Sequence, residues 1–398
     1  MARPLRRINV AEADISAPWK ILLEPTGLGE TEYRLLHFYA SRTASALDGH
    51  FQDDLWRSLV LQSSTRVGQL RWHGLQYYGK AINMLNQHIS SNKWAYLEET
   101  LLCCVLCIKF EWIAGNRTKA LVHLRSSIQI LREWQASSTS PFSSSTSFWS
   151  PGGYMIRSTL SPLYVRLSLE ASMFAKKKEA VPIPPKPLLQ PAIKDFVTLK
   201  DARDSLYDIL GDEFLFRKQP GGLHTASDQQ PTTTERFSQW SLSLKGLLQG
   251  LGSPLNSTPA AVTLRIWLRI VKVMLEVSGM GYDECVFDQY TQDFSDAVDL
   301  AALIYSEDAS AFLADTSVVA VLFYVATKCR HPQIRRRAVS LLESSSRQEG
   351  IWHSALAVQM ATKIIELEEN AVGGEVSSET DIPPDVRLLA RIYVWEDW

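Results

Sequence analysis

Residues 94–112, WAYLEETLLCCVLCIKFEW, decide the fold class. Leu97, Leu101, Val105 and Ile108 fall on one stripe at helical spacing, and the flanking positions are almost as apolar, which predicts a helix buried on most of its circumference. Gly115-Asn116 then breaks the pattern. Leu121, Leu124, Ile128 and Leu131 restart it in a helix running to about Trp134, with Asn116 well suited to cap its start. Two apolar-faced helices separated by so short a break predict an antiparallel αα-hairpin at the centre of a core.

Working outward, the same period recurs. Phe51, Leu55 and Leu59, then Tyr78, Ile82 and Leu85, read as two short amphipathic helices on the N-terminal side. On the C-terminal side, Tyr164 to Phe174 and Leu199 to Phe216 are helical in pattern. So are the stripes Ala261, Leu264, Leu268, Val271, Leu275 and Phe287, Tyr290, Phe294, Val298, Ala301. Phe312 to Thr327, Arg335 to Leu342 and Ile351 to Leu367 complete the set. No two-residue hairpin with flanking alternation stands out, so the expectation is an all-α fold of antiparallel helical layers and hairpins forming one large domain.

Breakers mark its divisions. Residues 1–31 read as a flexible N-terminal segment and 32–136 as an N-terminal helical part. Residues 137–198 form a connector with one short helix, containing a Ser/Thr-rich run, Pro151-Gly152-Gly153 and five prolines between Val181 and Pro191. A C-terminal helical part spans 199–370, interrupted by a loop at 218–234 whose composition predicts disorder, and 371–398 read as an acidic tail.

At 398 residues, 45% hydrophobic and 21% charged, the chain has the composition of a folded globular protein. Lys+Arg 41 against Asp+Glu 43 is too even for a surface that grips phosphates along its whole length. No apolar run with a small-residue cleavage site follows the basic N-terminus, and Leu101 to Ile108 is too short to span a bilayer, so the expected setting is a reducing cell interior.

Chemistry-bearing patterns are sparse. Cys104 and Cys107, with Cys103 adjacent, form a CxxC inside the most apolar helix, where buried thiols serve as core filler. Cys285 and Cys329 are isolated, the eight histidines show no paired ligand spacing, and the glycine pairs at 27–29 and 279–281 lack the third glycine of a dinucleotide loop. The expectation is no catalytic residue, no cofactor and no metal, hence no enzyme. One cluster remains: Lys328, Arg330, Arg335, Arg336 and Arg337, read either as a contact patch or import signal, or as a salt-bridged turn neutralised by the acids from Glu366 onward.

Leu36-His37-Phe38-Tyr39 with Leu59-Val60-Leu61-Gln62, then Gln76 through Ile82, then Gly115-Asn116 leading to Ala120-Leu121-Val122-His123-Leu124 form a series. It continues in Asp201 to Leu206 and in Cys329-Arg330-His331-Pro332 through Arg347-Gln348-Glu349-Gly350-Ile351-Trp352. In this series the chain resembles the regulatory, middle-homology region of fungal zinc binuclear-cluster transcription factors. The resemblance implies a nuclear or partly cytoplasmic transcription regulator acting through protein partners. It also implies a six-cysteine zinc cluster near the N-terminus, whereas residues 1–102 contain no cysteine, and the stretch from Gln62 to Gln76 is short beside the family. The expectation is therefore a regulatory domain without its own zinc-cluster DNA-binding domain, working with a DNA-binding transcription factor and not binding DNA alone. The alternative is a cytosolic all-helical interaction scaffold.

Overall fold

The computed structural model describes residues 49–51, 96–113, 115–139, 150–172, 181–184, 195–218, 232–277, 283–307, 312–313 and 318–387. The helices expected from Leu55 to Leu59 and from Tyr78 to Leu85 lie outside them.

The central hairpin is present as α1 (Leu97–Ile113) and α2 (Arg117–Thr139). Its break is a Schellman turn. Gly115 adopts φ +75°, its N–H reaches the Trp112 carbonyl at 3.0 Å, and the Asn116 N–H reaches that of Glu111 at 2.7 Å. The Asn116 amide also donates to the Glu111 carboxylate at 2.7 Å, so the residue fastens the end of α1 as well as preceding α2. Leu101, Val105, Ile108, Leu124 and Ile128 are fully buried against each other and against Leu160, Tyr164 and Leu167.

Those last three residues belong to a composite helix. It comprises α3 (Pro151–Met155), a π-helical turn (Ile156–Leu160) and α4 (Ser161–Ser172). The wide turn has a local cause: Pro162 has no N–H for the carbonyl four residues back, and the Ser161 N–H instead closes on Ile156. Pro151-Gly152-Gly153, expected as loop, is the helix start. Ser150 caps the Gly153 N–H at 3.1 Å and Pro151 occupies the first turn. Gly152 suits this crowded position: a Cβ there would stand 3.0 Å from the Glu98 carboxylate, which would have to shift to make room.

Helix α4 packs on α5 (Leu199–Lys218), which also packs on α6 (Thr233–Gly250). Helix α6 falsifies part of the loop expected over 218–234: Thr232 and Glu235 form a capping box that starts a helix there. Residues 219–231 lie outside the described set. After the short α7 (Ser253–Asn256) come α8 (Pro259–Val277), a 3-10 turn (Glu284–Tyr290) and α9 (Thr291–Glu307), then α10 (Val319–Lys328), α11 (Pro332–Ser344) and α12 (Ser354–Val372). Helices α8 and α9 pack together, and α10, α11 and α12 pack pairwise around α10, whose residues are all buried.

Strands do occur. Strands β1 (Phe312–Leu313), β2 (Gln348–Glu349) and β3 (Trp352–His353) form a small sheet, with β1 parallel to β2 and β2 antiparallel to β3. The β2–β3 connection is a two-residue turn, Gly350-Ile351, with Gly350 at φ +53°. Two-residue strands leave no room for the alternation that marks a strand in a sequence.

Among the described residues, the buried apolar side chains form two clusters, one built on α1, α2 and α4, the other on α5, α6 and α8 to α12. The Arg166–Asp204 ion pair at 2.6 Å joins α4 to α5, and Ile351 packs against both clusters.

Candidate functional site

The five basic residues singled out in the sequence do not share one surface. Lys328, at the end of α10, and Arg330 and Arg335, around the start of α11, turn inward; Arg335 has no solvent exposure and Arg330 has 1%. A cationic side chain survives such burial only with carboxylates at hand. Two are supplied from distant parts of the chain. Glu284, from the 3-10 turn, accepts from Lys328 Nζ at 2.6 Å and from Arg330 at 2.9 Å. Glu368, in the last turns of α12, bridges Arg330 and Arg335 at 2.8 Å each. Arg335 Nε also donates to the Ala326 carbonyl, and Arg330 to that of Lys328.

Burial lowers the Lys328 and Arg335 pKa values, opposed by Glu284 in the first case and Glu368 in the second. Between them lies Cys329, whose thiol is pushed up to about 12 by burial, which makes it an inert packing group.

The remaining two arginines stay at the surface and are paired there. Arg336 donates to Glu369 at 2.6 Å and Arg337 to Asp299. Of a run read either as a contact patch or import signal or as a salt-bridged turn, three members are thus buried in ion pairs and two are half-exposed in ion pairs. The reason is topological: Pro332 starts α11 directly after the turn, and the chain reversal folds the residues on either side of it against α12.

A fourth cation enters from a segment the sequence assigned to a tail. Arg387, 7% exposed, donates to Asp288 Oδ1 at 2.7 Å and to the carbonyls of Glu379 at 2.7 Å and Ile382 at 2.9 Å, with a longer contact to that of Glu284 at 3.4 Å. Burial works against its charge, but the hydrogen bond and charge of Asp288 outweigh it and the pKa is raised. At least as far as Arg387 the acidic segment is therefore docked on the body. Sequence reasoning missed both Glu284 and Arg387, since neither sits in a recognisable motif.

The other sequence candidates are packing groups. Cys103, Cys104 and Cys107 are buried free thiols in α1. Desolvation raises the Cys104 pKa, and a hydrogen bond with Cys103 raises that of Cys107 while lowering that of Cys103. Tyr164, its own pKa driven up by burial, donates to the Leu101 carbonyl at 2.8 Å beside them. Among the described residues, no group of three or more His, Cys, Asp or Glu side chains could hold a metal ion. Nor is any described helix long and apolar enough to cross a membrane.

A shallow recess, partly open to solvent, is lined by Phe323, Ile351, Trp352, His353, Leu356, Ala357 and Met360. Its one titratable side chain, His353, accepts through Nδ1 from the Ala355 N–H at 3.3 Å and so caps α12. The lining is that of an apolar surface recess without converging acid, base or nucleophile.

Comparison with known proteins bears on the N-terminal part. The family model described as a fungal specific transcription factor domain matches residues 7–154, which include α1, α2 and most of α3. Over 82 residues the chain is 34% identical to the aspercryptin biosynthesis cluster-specific transcription regulator atnN of Emericella nidulans. That stretch covers 20% of this chain and 13% of the relative. No solved structure matches. Residues 7–154, α1 and α2 among them, are thus similar to the fungal specific transcription factor domain.

Proposed function

We propose that this chain takes part in regulating transcription, in the nucleus, through protein contacts made by its helical domain. The observation that carries the reading is the match of residues 7–154 to the fungal specific transcription factor domain. The similarity to a cluster-specific transcription regulator supports it. DNA recognition falls to a partner on this reading. The chain holds five cysteines, of which Cys103, Cys104, Cys107 and Cys329 are buried, too few for a six-thiolate cluster. Three of its five clustered cations are committed to internal carboxylates and are unavailable to phosphates. This reading assigns the chain no catalytic role. It is supported by the match to a fungal specific transcription factor domain, by the similarity to a transcription regulator and by the engagement of the clustered basic residues in ion pairs.

The test is a reporter assay with the chain fused to a heterologous DNA-binding domain, together with imaging of the fluorescently tagged chain. Altered reporter output with nuclear accumulation is the expected result. Unchanged output from a chain that stays in the cytosol would replace the proposal with the cytosolic scaffold.

A further inference from the structure

Helix α12 ends at Gly373, in the left-handed region at φ +69°, and neither Gly373 nor Gly374 has a neighbour within 4 Å of where a Cβ would stand. The backbone at this pair is unencumbered, as a hinge requires. The segment that follows returns to the body, yet little of it is buried: between Gly373 and Arg387 only Val376, Ile382 and Arg387 are. Its backbone hydrogen bonds are local, from Asp381 to Ser378, Ile382 to Glu379 and Val386 to Pro383. Asp381 closes the turn from the side by accepting from the Ser377 and Ser378 N–H groups, each at 2.8 Å.

Among the described residues, the hydrogen bonds that join this turn to the helical body come from the Arg387 side chain. Two of its bonds go to carbonyls within the segment, Glu379 and Ile382, so the guanidinium is organised by the segment itself. The other two go to Asp288 and to the Glu284 carbonyl. Those acceptors lie on the 3-10 turn whose Glu284 carboxylate holds Lys328 and Arg330.

We propose that residues 373–387 form a hinged strap, pinned by Arg387 to Asp288, that opens as a unit while the ion-paired core beneath it stays folded. A segment with few buried apolar side chains, local hydrogen bonds and a single charged pin belongs to the low-stability end of a structure, where sub-global opening occurs. Lifting it uncovers the Asp288 carboxylate and the Glu284 carbonyl as acceptors; it withdraws the Arg387 charge that Glu368 also feels but leaves the Glu368 ion pairs to Arg330 and Arg335 in place.

The experiment uses the full chain and two readouts. A protease specific for glutamate attacks Glu375 and Glu379 within the strap, with cleavage sites identified by mass spectrometry. Labelling of the buried Cys329 thiol reports on the core. In Arg387→Ala, cleavage at these two sites is expected to accelerate at least tenfold while Cys329 stays as protected as in the parent chain. Asp288→Asn, which keeps the body's side chain but weakens the pin, should show a smaller acceleration at the same sites. Unchanged cleavage in both variants would overturn the proposal. So would Cys329 becoming reactive in step with cleavage in both, since strap and core would then be one cooperative unit.

Discussion

Arg335 and Glu368, neither with any solvent exposure, are joined at 2.8 Å and tie the first turns of α11 to the last turns of α12. Glu368 holds Arg330 at the same distance with its other oxygen. Removing it leaves two buried guanidinium groups short of a carboxylate, and breaking a buried pair in this way costs about 3–5 kcal/mol. Glu368→Ala should therefore lower stability by about that much in denaturant unfolding. Glu368→Gln, which keeps acceptor and shape but not charge, should lose clearly less. A loss under about 1 kcal/mol for the alanine variant, the range of an exposed pair, would show that the network is solvated.

The helical class was legible because it rests on local spacing. Leu97, Leu101, Val105 and Ile108 announce a buried helix, and Gly115-Asn116 announces its end, without reference to the rest of the chain. What stayed hidden depends on distant partners. Gly152 reads as a breaker until Glu98 is seen beside it; the acids from Glu366 onward are a visible counterweight to the basic run, but nothing local singles out Glu368 or brings Glu284 to Arg330 from 46 residues away. Helix α6 was different. Its Thr232-x-x-Glu235 box followed by Phe237, Trp240 and Leu244 was present in the sequence, masked by the run of threonines and the glycines upstream.

That capping box yields its own expectation. Thr232 Oγ1 accepts from the Glu235 N–H at 3.2 Å and Glu235 accepts from the Thr232 N–H at 2.8 Å. Thr232→Ala should destabilise by about 0.5–2 kcal/mol, and Thr232→Ser by much less, because serine caps as well as threonine. Thermal unfolding of the two variants side by side decides it; equal losses would mean that the threonine methyl, not its hydroxyl, matters.

Committed cations also bear on nucleic acid. With Lys328, Arg330 and Arg335 buried and Arg336 and Arg337 paired, the purified chain should give no sequence-specific complex with duplex DNA at about 0.15 M salt. A specific complex whose affinity falls steeply with added salt would assign phosphate contacts to surfaces other than this cluster.

The strap carries a pH signature. Asp381 is held down to about 2, first by the backbone N–H groups of Ser377 and Ser378 and then by the Ser377 hydroxyl, which bonds it at 2.9 Å. An unperturbed aspartate titrates near ~3.9. Because the folded value is the lower one, the carboxylate's contribution to the turn is fully present above about pH 4 and is lost as pH falls through about 2. Titration of the Asp381 carboxyl carbon by NMR should thus show a midpoint near 2, and Asp381→Asn should loosen the Ser377–Asp381 turn already at neutral pH. A midpoint near 4 in the folded chain would mean that the serine N–H groups do not hold the carboxylate in solution, and Arg387 would then be docking a segment without a preformed turn.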